Sequence, residues 1–92
     1  MIDISEVERL AYARAPEALL RVIEAIETLT GNGSIRLGYK VAPDMPGQAM
    51  AYTRLASALT AVVCDPERVF STEDELRLIF AHQSLVYCYT NS

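Results

Sequence analysis

The sequence predicts a small α+β domain, three to four helices against a two-stranded antiparallel β-ribbon. Three observations carry that expectation. Apolar residues recur at helical spacing in four stretches, around 4–11, 19–29, 52–63 and 76–80. Between the second and third, residues 34–41 alternate strictly, with Ile35, Leu37, Tyr39 and Val41 on one face and Arg36, Gly38 and Lys40 on the other. Near the C-terminus, Leu85, Tyr87 and Tyr89 alternate with Val86 and Cys88, the only other run with strand character. A lone strand leaves its backbone polar groups unpaired, so the two alternating runs are expected to pair. An all-α bundle, in which the last run continues the fourth helix, is the alternative. The 92 residues form one domain, 1–92.

Helix one starts at Asp3 or Ser5. Ser5 and Glu8 have capping-box spacing, and Ile4, Val7, Leu10 and Ala11 make an apolar stripe. Pro16 has no amide hydrogen, so the helix breaks just before it and a second begins there. Helix two spans about 16–29, with Leu19, Val22, Ile23, Ile26 and Leu29 inward and Glu17, Arg21, Glu24 and Glu27 outward. Gly31 or Asn32 supplies its left-handed cap. Pro43 and Pro46 cannot donate to a ladder, so the strand ends before Pro43 and 42–47 is a loop. Helix three covers about 47–63, with Tyr52, Leu55, Ala56, Leu59, Val62 and Val63 inward; Asp65-Pro66 ends it. Helix four opens at Ser71 or Thr72, where Thr72 and Glu75 match a capping box, and Leu76, Ile79 and Phe80 are its core positions.

Composition narrows the function. A net charge of −4 disfavours a free-standing nucleic-acid binder, because phosphate contacts need cations; only Arg36 and Lys40 offer a local exception. A hydrophobic fraction of 51% exceeds what one small core hides, which favours a homo-oligomer or a docked partner. The N-terminus has neither the basic nor the apolar region of a signal peptide. No apolar run approaches the roughly 20 residues that cross a bilayer. Cys64 and Cys88 sit in no C-x-x-C or C-x-x-H frame. The chain reads as cytoplasmic with reduced thiols.

Reactive groups are few. One histidine and two scattered cysteines do not make a zinc site, and no cofactor is expected. There is no Gly-x-Ser-x-Gly elbow, and Gly31-Asn32-Gly33 follows a helix where a phosphate-cradling loop would lead into one. The remaining catalytic option is a thiol-dependent enzyme pairing Cys64 or Cys88 with His82. Against it, cysteine is among the most buried residue types, and a histidine near a helix C-terminus has an ordinary capping role. Most carboxylates open helices or sit in turns, where the dipole or the turn explains them; Glu24 and Glu27 lack such a reason.

Elimination leaves recognition. The leading reading is a non-enzymatic binder that docks on a larger protein or ribonucleoprotein assembly as inhibitor, adaptor or regulatory subunit. Compact anti-defence inhibitors encoded by phage and mobile elements have this character. The candidate contact residues are Arg36, Tyr39, Lys40, Asp44 and Met45. Arg36 and Lys40 stand roughly 13 Å apart by strand rise, enough to straddle two phosphates or two carboxylates. The same pair also suits a plainer role, protection of a strand edge. A nucleic-acid contact through Arg36 and Lys40 is the secondary reading.

Overall fold

A computed structural model describes residues 3–31 and 48–90. They form four α-helices: α1 (Ile4–Tyr12), α2 (Ala18–Thr30), α3 (Gln48–Val63) and α4 (Thr72–Thr90). No strand occurs among the described residues. The α+β expectation is therefore corrected to an all-helical domain, the arrangement that stood as its alternative. The alternating segment 34–41 lies outside the described residues. Its expected partner, the run 84–90, is the last part of α4.

The first two helices show how closely local chemistry sets the boundaries. Asp3 caps α1, its carboxylate accepting the Glu6 N–H at 3.2 Å. The capping box assigned to Ser5 and Glu8 does not form, because both side chains turn to α3. Arg54 donates from Nε to Glu8 at 3.1 Å, from Nη2 to the other Glu8 oxygen, and from Nη2 to Ser5 Oγ at 3.2 Å. At the other end, Ala15 N–H bonds to Leu10 C=O at 3.0 Å and Arg14 N–H to Ala11 C=O at 3.2 Å. This is the Schellman pattern, which needs a left-handed residue between helix and exit. Arg14 supplies it, with φ 57°. Pro16 then leads into α2, which ends at Gly31 in the left-handed region, φ 63°.

The core gathers on the helical stripes. Val7, Leu10 and Ala11 from α1, Val22 and Ile26 from α2, and Tyr52, Leu55, Leu59 and Val62 from α3 form one buried cluster. Alanines at 18, 25 and 58 are buried within it and bring the helices close. The α1 and α2 stripes read from the sequence hold.

In α4 the expected register is wrong. Leu76, Ile79 and Phe80 are about half exposed, at 52%, 52% and 43%. The residues that face the core are Ala81, Ser84, Leu85 and Cys88. Their spacing of three and four is helical, and Cys88 donates from Sγ to the Thr30 carbonyl at 3.7 Å, which ties the end of α4 to the end of α2. Burying this seam requires the chain to stay helical past Ser84, so the strand expected there is excluded. The cap is also displaced by one residue: Ser71 Oγ accepts the Asp74 N–H at 3.0 Å while Asp74 accepts the Ser71 N–H at 3.3 Å. The reciprocal box is Ser71–Asp74, not Thr72–Glu75.

Two outcomes follow. Arg14 holds a conformation that costs a residue with a Cβ about 1 kcal/mol, so Arg14→Gly is expected to stabilise the fold in urea titrations, less the entropy that glycine adds to the unfolded chain; a loss of stability would show that the Arg14 side chain contributes more than its backbone strains. The Arg54 guanidinium, hydrogen-bonded to Glu8, holds that carboxyl below its ordinary value of 4.5. A carboxyl depressed in the folded state adds stability above its unfolded range and loses it as pH falls through the folded value. Between neutral pH and about pH 3, wild type should therefore lose more stability than Glu8→Gln; equal losses would remove the pair from the acid response.

Candidate functional site

The placement of α4 creates the site. Its inner seam and the Arg77–Glu27 ion pair, 2.9 Å, hold it on α2. That pair also gives Glu27 the local reason its sequence lacked. Helix α3 points its buried face toward α1 and α2, and among the packed helix pairs α3 and α4 touch least. The connection between them is fixed at its far side. Asp65 Oδ1 accepts the Glu67 N–H at 3.0 Å, and Arg68 donates from Nη2 to the Ala15 carbonyl at 2.9 Å. Two consecutive helices thus pack sparsely beside a pinned connection, and an apolar groove lies between them.

The groove has two adjoining chambers that share His82. The larger, about 610 Å³, is lined by Leu59, Val63, Cys64, Phe70, Leu78, Ile79 and His82, with Glu75 at its rim. The smaller, about 320 Å³, lies between Tyr52, Ala56, His82, Leu85, Val86 and Tyr89. From Glu75 to Tyr89 the α4 wall is roughly 21 Å long by helical rise. Val63 is 47% exposed and Val86 46%. A hydrophobic lip with a few polar groups is the ordinary make-up of a recognition cleft. Among the described residues, the one charged side chain that lines the groove is Glu75, in the first turn of α4.

Arg36, Tyr39, Lys40, Asp44 and Met45, the contact residues expected from the sequence, lie outside the described residues. The thiol option separates into two parts. Cys64 is exposed and lines the same chamber as His82; among the described residues no hydrogen bond joins them. Cys88 is fully buried and serves the α2–α4 junction. No group of three or more potential metal-ligating side chains occurs among the described residues, and no described helix is long and apolar enough to cross a membrane.

The groove residues Val63 and Ile79 escape the sequence reading because their periodicity places them in the core, as it does the exposed Leu76 and Phe80 outside the groove. The signal that finds them is an apolar pattern running round the whole of α4, which one small core cannot absorb. Comparison with known proteins yields no matching family model, no similar curated protein and no similar solved structure.

The two thiols are expected to react differently. Iodoacetamide should label native protein at Cys64 and reach Cys88 only after unfolding; mass spectrometry of digested protein checks this, and comparable labelling of both cysteines would contradict the packing of α4 on α2.

Proposed function

We propose that this chain is a cytoplasmic, non-enzymatic binding module whose working surface is the α3–α4 groove. It docks there on a larger protein, as inhibitor, adaptor or regulatory subunit. One observation carries the reading: large apolar side chains, among them Val63 and Ile79, stand about half exposed along a groove that the fold itself holds open. Single exposed hydrophobic residues are ordinary on protein surfaces, but a contiguous set in a concave site marks an interaction surface. The length of the groove suits about four turns of a partner helix laid with its apolar residues inward. The Glu75 carboxylate at the rim favours a basic residue on that helix near one end.

The presence of Cys64 and His82 in one chamber supports a second reading, thiol chemistry on a bound partner. Alkylation separates the two. Binding that persists after Cys64 is blocked with a small reagent belongs to the docking module.

The test uses the full chain as bait in lysate of its native host, with bound proteins quantified by mass spectrometry. A partner held by wild type should be lost from Val63→Asp, by about 30-fold or more if Val63 is a central contact, and kept by Tyr12→Ser, whose side chain is exposed on α1 away from the groove. Retention by both variants would remove the groove from the interaction.

A further inference from the structure

The outermost face of α4 carries a second feature, which shares Ile79, Gln83 and Val86 with the α4 wall of the groove. Leu76, Ile79, Gln83 and Val86 lie at intervals of three, four and three residues. At 3.6 residues per turn they fall within about 40° of the line diametrically opposite the buried Ala81. This is the a/d spacing of a coiled-coil seam, facing away from the core. Phe80 flanks it and is itself about half exposed.

The pattern is symmetric about residue 81, midway between Leu76 and Val86 and between Ile79 and Gln83. We propose that this seam pairs with the same seam of a second copy, α4 antiparallel to α4, giving a two-fold homodimer. In antiparallel pairing an a position meets a d position across the seam. Leu76 then meets Val86 of the second copy and Ile79 meets its Gln83, so each layer has an apolar residue. A single polar residue at one a position fixes register at some loss of stability. Phe80 packs beside its own counterpart near the dyad.

Charge favours a second copy in this orientation. The chain carries −4, which opposes self-association over most of its surface. From Leu76 to Thr90 the only side chains that carry or acquire positive charge are Arg77 and His82, no carboxylate occurs, and Arg77 is engaged with Glu27. The seam is therefore a place where two acidic molecules meet without like-charge contact. Parallel pairing would set Glu73, Asp74 and Glu75 of both copies side by side; antiparallel pairing sends them to opposite ends. One helix per copy is a small contact, below the roughly 800 Å² per partner of a standard interface, so the dimer dissociates on dilution. Ile79, Gln83 and Val86 also line the groove, so the dimer covers part of its α4 wall and competes with a docked partner for it; Val63 lies outside the seam, so Val63→Asp weakens docking and leaves self-association unchanged, which distinguishes failure of one reading from failure of the other.

Sedimentation velocity on the full chain, from about 1 μM to about 1 mM, tests the proposal in the concentration range of weak interfaces. Wild type should pass from monomer to dimer. Ile79→Glu and Phe80→Glu, both at half-exposed positions, should keep their helical circular dichroism and weaken self-association by about 30-fold or more. Register is read by cross-linking in a Cys64→Ser background. Phe80→Cys should form a disulfide-linked dimer under mild oxidation. Glu73→Cys should not, since its two copies would lie roughly 24 Å apart along the helix axis. A monomer at every concentration, a dimer indifferent to both glutamate variants, or cross-linking at 73 in place of 80 would overturn the proposal.

Discussion

The burial of one seam of α4 governs the rest of this structure. Ala81, Ser84, Leu85 and Cys88 leave water together only if the chain remains helical through the tyrosine-rich end, and only if that helix lies across α2. Three consequences come from this single packing choice. The C-terminal run cannot be a strand. The opposite face of α4, which is also apolar, is exposed. The neighbouring helix α3, already committed to α1 and α2, touches α4 sparsely and leaves a groove. Polar contacts reinforce the arrangement at its edges: Arg77 with Glu27, Cys88 with the Thr30 carbonyl, and Thr30 Oγ1 with the Ile26 carbonyl at 2.7 Å. The buried Thr30 thereby has its hydroxyl satisfied within its own helix, as a buried polar group requires.

Local punctuation made half of this fold legible in the sequence. The stripe Val7–Leu10–Ala11, the break at Pro16, the stripe through Val22 and Ile26, and the left-handed Gly31 all follow from spacing and backbone chemistry. Helix α3 is nearly as clear, since Tyr52, Leu55, Leu59 and Val62 lie on one face. Capping was harder to place. Asp3 and Ser71 take the roles assigned to Ser5 and Thr72, because each candidate was one of several acceptors in a row; at α1 a tertiary contact decided between them. Arg54 drew Ser5 and Glu8 away to α3, and no local rule registers a residue 46 positions distant.

The α4 error has a different cause. Periodicity orients a helix by contrast between a wet face and a dry one. Here Leu76, Ile79 and Val86 oppose Ala81, Leu85 and Cys88, and the larger side chains lie outside. Size pointed to the wrong face. The same lack of contrast let residues 85–89 alternate like a strand. What misled the reading of fold also motivates the proposal: a helix apolar on both faces has more contacts to make than the described residues provide. Arg36 and Lys40, where sequence chemistry is conspicuous, lie outside the described residues. The groove proposed in their place is lined mostly by apolar side chains, aliphatic and aromatic, and only three-dimensional placement distinguishes them from core.

Native-state hydrogen exchange of α4, followed amide by amide by NMR, tests the central claim most directly. If the inner seam anchors the helix, the amides of residues 81–88 should exchange only through global unfolding, with opening free energies equal to those of the core residues Val22 and Leu55. Rapid exchange beyond residue 84, or protection alternating in the manner of a strand, would contradict the account.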